Sequence, residues 1–187
     1  MKATFAGDDP GLTEAVKYVN EILNPDESFW RQIREKAKFD YATIPSTEVE
    51  RRVRLIDSIM KVKLWKPSWW LAWKYTKTVA VTDSAYPRTL LYHSKFIGND
   101  VGSKVNTIVH EFIHNVDVFD DGDKTEQMGH GDNDPTGKED SAPYWIGGLA
   151  ERLFLESKGV VLREDWRPGS PYRHKTARIR ESEILNG

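Results

Sequence analysis

The stretch Thr107-Ile-Val-His-Glu-Phe-Ile-His-Asn-Val-Asp-Val-Phe119 constrains this chain more than any other. Val105, Ile108, Val109, Phe112, Ile113 and Val116 recur at three- and four-residue intervals, the period of a helix buried on most sides. The spacing predicts a helix from about Ser103 to near Gly122, where glycine suits a stop. On such a helix, positions i and i+4 lie one above the other, so His110 and His114 aim both imidazoles at one point. Glu111 follows the first histidine and can reach a water at that point without displacing a ligand.

Two imidazoles and a carboxylate in that order suit a zinc centre that activates water. The chain has no cysteine, so any metal must be held by His, Asp or Glu. His130 is the favoured third ligand, because imidazole serves zinc better than another carboxylate and Gly129 and Gly131 let the backbone approach closely. Asp132, Asp120 and Glu151 are the alternatives, in that order. Asp117, seven residues after His110, shares the ligand face and is expected to orient an imidazole N–H.

The segment His110-Glu-Phe-Ile-His114, following the strand-like Thr89-Leu-Leu-Tyr-His-Ser-Lys-Phe-Ile-Gly98, resembles the active-site helix and edge strand of zincin metallopeptidases. That resemblance covers roughly residues 78–155. It implies an α+β fold with a small mixed sheet, an active-site helix and flanking helices. It also implies a Zn2+ cofactor, a peptide or protein substrate lying along the edge strand, and His110, Glu111 and His114 as ligand, base and ligand. The third ligand departs from each subfamily pattern. A metzincin-type motif would place Asp120 as ligand but needs glycine where Asp117 stands. A gluzincin-type helix resembles Trp145-Ile-Gly-Gly-Leu-Ala-Glu151, with Gly147 at the ligand position and Glu151 one turn beyond. An aspzincin-type loop resembles Gly129-His-Gly-Asp132 loosely. That likeness makes Tyr144 a candidate donor to a developing oxyanion, with Asp140 nearby.

A chain of 187 residues, 39% hydrophobic and 30% charged, fits one domain, 1–187, with an ordinary core. Its expected parts are a helical N-terminal region (1–62), a metallopeptidase core (78–155) and a basic C-terminal tail (160–187). In the first part, Ala15, Val16, Val19, Ile22 and Leu23 trace one helix face. Asn24 and Pro25 suit the start of a second helix running to Phe39, and a Thr47–Glu50 capping box suits a third that carries Val49, Val53, Ile56 and Met60. Lys77–Asp83 and Arg88–Gly98 read as strands, and Pro143–Gly159 as a closing helix.

Residues 65–75 hold four of the seven tryptophans interleaved with lysines. Core packing is the ordinary use of such a segment. A binding surface would make this a non-catalytic zincin-fold module, the alternative to a hydrolase. Net charge of −2 argues against nucleic acid as a partner. No apolar run approaches the ~20 residues of a membrane span. The N-terminus lacks a signal-type apolar segment and cysteine is absent, so a cytoplasmic location is expected. Calcium loops of EF-hand type fail on register, with Phe119 and Met128, or Pro143, at required carboxylate positions. The loop from Asp117 to Asp140 has nine acidic residues against two lysines, which favours basic side chains near a scissile bond.

Overall fold

The computed structural model describes residues 1–66, 79–82, 88–119, 127–130 and 137–162, without the side chains of 81, 82 and 119. The fold is α+β. In chain order the elements are β1 (Lys2–Phe5), α1 (Pro10–Tyr18), a π-helical turn (Val19–Leu23), α2 (Glu27–Glu35) and α3 (Ser46–Leu55), followed by β2 (Ile59–Trp65), β3 (Ala80–Thr82), β4 (Thr89–His93), a short 3-10 turn (Ser94–Phe96), α4 (Val101–Phe119) and α5 (Ala142–Ser157).

Four strands form one sheet in the order β1-β2-β4-β3. β1, β2 and β4 run parallel, and β3 is antiparallel to β4. β2 alternates buried Met60 and Val62 with exposed Ile59, Lys61 and Lys63, so only one face meets the core. β4 is buried almost throughout, as a strand paired on both sides should be.

Thr89–His93 is therefore an interior strand rather than the edge strand the zincin resemblance implied. The edge beside it is Ala80–Thr82. Residues 94–98 leave the strand through the 3-10 turn.

The N-terminal region is not purely helical, since β1 and β2 belong to the same sheet as β4. The third helix stops at Leu55, short of the expected Ile56 and Met60. Met60 satisfies both a helical period with Val53 and Ile56 and a strand period with Val62; pairing with Ala3 and with Thr89–His93 decides for the strand. The Thr47–Glu50 box does not form. Pro45 takes the cap position without a side-chain bond, while Glu50 turns to Arg34 and Arg54 at 3.6 and 3.2 Å. Asp26, not Asn24, caps α2 through Ser28 N at 2.8 Å. α2 ends at Glu35, before Phe39.

α4 is the central element. It packs against α5, α1 and the sheet, and Val105, Ile108, Val109, Phe112, Ile113 and Val116 are buried along it. Each large apolar side chain so buried contributes roughly 1.5–3 kcal/mol. Its first turn is anchored by a buried ion pair, Lys104 Nζ to Asp9 Oδ1 at 2.9 Å, and the same oxygen caps α1 by accepting from Leu12 N. No helix among the described residues is long and apolar enough to cross a membrane. The tryptophan segment from 67 onward and the tail from 163 lie outside the described residues.

Candidate metal centre

His110 and His114 project from the same face of α4, as their spacing requires, and His130 reaches them from the segment after the helix. One ligand nitrogen from each ring lies within 4.8 Å of the others. Nε2 of His114 and Nε2 of His130 are 2.9 Å apart. Ring centroids are 5.0 Å apart for His110 and His114, 5.5 Å for His110 and His130, and 4.6 Å for His114 and His130. Nitrogens bound to one tetrahedral ion at ~2.0–2.1 Å lie about 3.3 Å apart. The His114–His130 pair is near that spacing, and the 4.8 Å bound on all three nitrogens is compatible with one shared ion.

The electrostatics favour the ligating form. Burial, then the neighbouring His114 and His130, holds His110 well below the usual imidazole range. Burial, then His130, lowers His114 to about 3. Neutral rings present lone pairs without first giving up a proton. His110 also donates a ring N–H to the Pro143 carbonyl in the first turn of α5, which fixes its tautomer.

Asp117 acts through the backbone. It is fully buried, and its two oxygens accept from Gln127 N at 2.9 Å and Met128 N at 2.8 Å. These bonds hold the segment that carries His130. The opposite side of that segment is held by Thr43 N, which donates to Gln127 O at 3.0 Å.

Tyr144 stands at the cluster, its ring centroid 4.5 Å from that of His110 and 5.0 Å from that of His130. Glu111 is partly exposed beside His110. Glu151 is buried elsewhere: it accepts from Asn106 Nδ2 at 2.9 Å, one turn before His110 on α4. Asp140 pairs with Lys36 at 2.8 Å. Asp120 and Asp132 lie outside the described residues.

Gly147 has a steric reason. A Cβ there would sit 2.5 Å from Asn106 Oδ1, 3.0 Å from the Asn106 carbonyl and 3.3 Å from His110 Cβ. Even a methyl there must push the Asn106 side chain aside and press on its carbonyl, so the close approach of α5 to α4 favours glycine at that position.

Three contributors had no signal in the sequence. Thr43 and Asp40 brace the site through backbone atoms alone, with Asp40 N donating to Asp140 O at 3.0 Å and Asp40 bridging Ser141. Pro143 contributes a carbonyl. Backbone partners of this kind leave no trace in residue type.

The three imidazoles fit a divalent transition ion. Zinc, copper, nickel and iron all accept such a donor set. Comparison with protein families, with curated proteins and with solved structures finds no match to this chain.

Proposed function

We propose that this protein is a zincin-like, zinc-dependent hydrolase, a metallopeptidase in which His110, His114 and His130 hold the ion and Glu111 is the general base. The observation that carries this reading is the arrival of a third imidazole at the two supplied by the helix, with a carboxylate next in sequence to the first. A centre with no use for a base gains nothing from Glu111 there. The edge position of β3 beside β4, together with its contact with α4, supports a substrate strand running past the site.

Bound zinc supplies Lewis acidity, polarising a carbonyl and bringing the pKa of coordinated water toward ~7. The protein's own groups complete the reaction. Water adds its oxygen to the carbonyl carbon while the Glu111 carboxylate takes the proton released. Tyr144 donates its hydroxyl proton in a hydrogen bond to the carbonyl oxygen as negative charge grows there. Glu111 then gives the proton to the leaving nitrogen, the C–N bond breaks, and an acid and an amine result.

Glu111→Gln is the test. The variant should keep stoichiometric zinc by metal analysis and lose about 100-fold or more of the parent's activity on casein or a peptide library. Equal hydrolysis by variant and parent removes Glu111 from the chemistry. Zinc uptake without hydrolysis in the parent would make this a binding module.

A further inference from the structure

We infer that Tyr41 is a specificity-determining contact at the rim of this site, presenting its ring face to a lysine or arginine side chain of the substrate. The inference rests on the peptidase reading above and names the substrate class.

Tyr41 is the tip of a turn closed by Ala42 N donating to Phe39 O at 3.3 Å. Its φ is 63°, in the left-handed region that glycine or asparagine ordinarily occupies at this place in a turn. A tyrosine there costs about 1–2 kcal/mol of backbone energy. Its ring does not recover that cost by packing, since the residue is 57% exposed. Beside it Phe39 is fully buried against Trp145, with ring centroids 5.6 Å apart, so the turn itself is well anchored without the Tyr41 ring.

The location ties the ring to the site. Asp40 is bonded to Asp140 and bridged to Ser141, three residues before Tyr144. Thr43 is bonded to Gln127, three residues before His130. The turn that carries the exposed ring thus ties together the segments that lead to His130 and Tyr144. Asp40, in the turn itself, and Glu139, next to Asp140, are exposed. Lys36 shows what this surface does with an ammonium: its Nζ lies 5.1 Å from the Trp145 ring centroid and 2.8 Å from Asp140 Oδ1. An aromatic face flanked by carboxylates offers a substrate cation the same pair of contacts.

The test uses the zinc-loaded full chain and two chelating probes, N-acetyl-lysine hydroxamate and N-acetyl-norleucine hydroxamate, which differ in one charge. The parent should bind the lysine compound about two- to fivefold more tightly, the range of an exposed cation–π contact. Tyr41→Gly and Tyr41→Asn, both suited to the left-handed backbone, should bind the two equally. Tyr41→Phe should keep the preference. Zinc affinity should be unchanged in all three variants, the melting temperature of Tyr41→Phe should stay within about 2 °C of the parent, and relief of the left-handed strain should hold Tyr41→Gly and Tyr41→Asn at or above it. Equal binding by the parent, a preference that survives Tyr41→Gly, or a large fall in melting temperature would each overturn the role of Tyr41 while leaving the peptidase reading intact. Failure of the parent to take up zinc would overturn both.

Discussion

Replacing Asp117 with asparagine should weaken metal binding without touching a ligand. The carboxylate is fully buried and receives two backbone N–H bonds, at 2.9 Å from Gln127 and 2.8 Å from Met128. Bonds to a charged acceptor contribute about 1.5–3 kcal/mol each. Asparagine keeps one oxygen for one amide and turns its NH2 toward the other, setting donor against donor. The expected cost is about 2–4 kcal/mol. α4 is held by its own apolar contacts on both sides of the site, so most of this cost should fall on the 127–130 segment. His130 then has to be ordered at the expense of binding, and zinc affinity should drop about 10–100-fold. The loss in His130→Ala sets the ceiling for this effect, because the bonds to Gln127 and Met128 reach the ion through that ring. A competition titration against a chromophoric chelator gives the affinities. Amide exchange at Gln127 and Met128 reports the loosening directly. If those amides exchange faster in Asp117→Asn while zinc binds within threefold of the parent, His130 is not a ligand and the reasoning fails.

Three further outcomes are expected. Gly147→Ala forces a methyl against the Asn106 carbonyl and His110 Cβ, at 3.0 and 3.3 Å. It should destabilise the fold by about 1–3 kcal/mol in urea unfolding and lower zinc affinity as well. Removing zinc with a chelator should lower the melting temperature. At a free zinc concentration 100 times Kd the stabilisation is about 2.7 kcal/mol, or roughly 5–11 °C for a domain of this size by scanning calorimetry. Glu48 is held at about 2 by hydrogen bonds from Arg51 and Arg52, below its ordinary 4.5. Its folded-state value is depressed, so this contribution is present above pH 4.5 and is lost as the pH falls toward 2. Glu48→Gln should flatten the melting temperature across that window by a small amount, as befits a largely solvated cluster.

The parts of the fold legible in the sequence are those whose period is long and unshared. α4 and α5 stand close to their expected limits because fifteen or more residues repeat one pattern, and Gly159, at φ 74°, ends the second. β1 left no such signal. Four residues, Lys2–Phe5, alternate too briefly to be told from a loop, and only pairing with Ile59–Val62 makes them a strand. The boundary between α3 and β2 was ambiguous for a related reason: Ile56 and Met60 continue the helical face while Met60 and Val62 begin the strand face. Helix caps misled in the same way. Asn24 had the right residue type, but its side chain accepts from the Met1 amine at 3.0 Å and its carbonyl accepts from Trp30 Nε1 at 2.7 Å, leaving Asp26 to cap.

The candidate site divides along the same line. His110, Glu111 and His114 are readable because a helix converts their spacing into geometry without help from the rest of the chain. His130 has no such rule behind it; chemistry favoured imidazole over Asp132, Asp120 or Glu151, but nothing local brings residue 130 to residue 114. Three backbone hydrogen bonds do that, two to Asp117 and one from Thr43. The last comes from residues 39–43, ahead of the span that carries the resemblance. Asp40 in the same stretch fastens residues 140 and 141, which lead to Tyr144. The N-terminal region is thus the brace that sets the separation between the two segments closing over α4. Loosening the 39–43 turn should therefore disturb His130 and Tyr144 together.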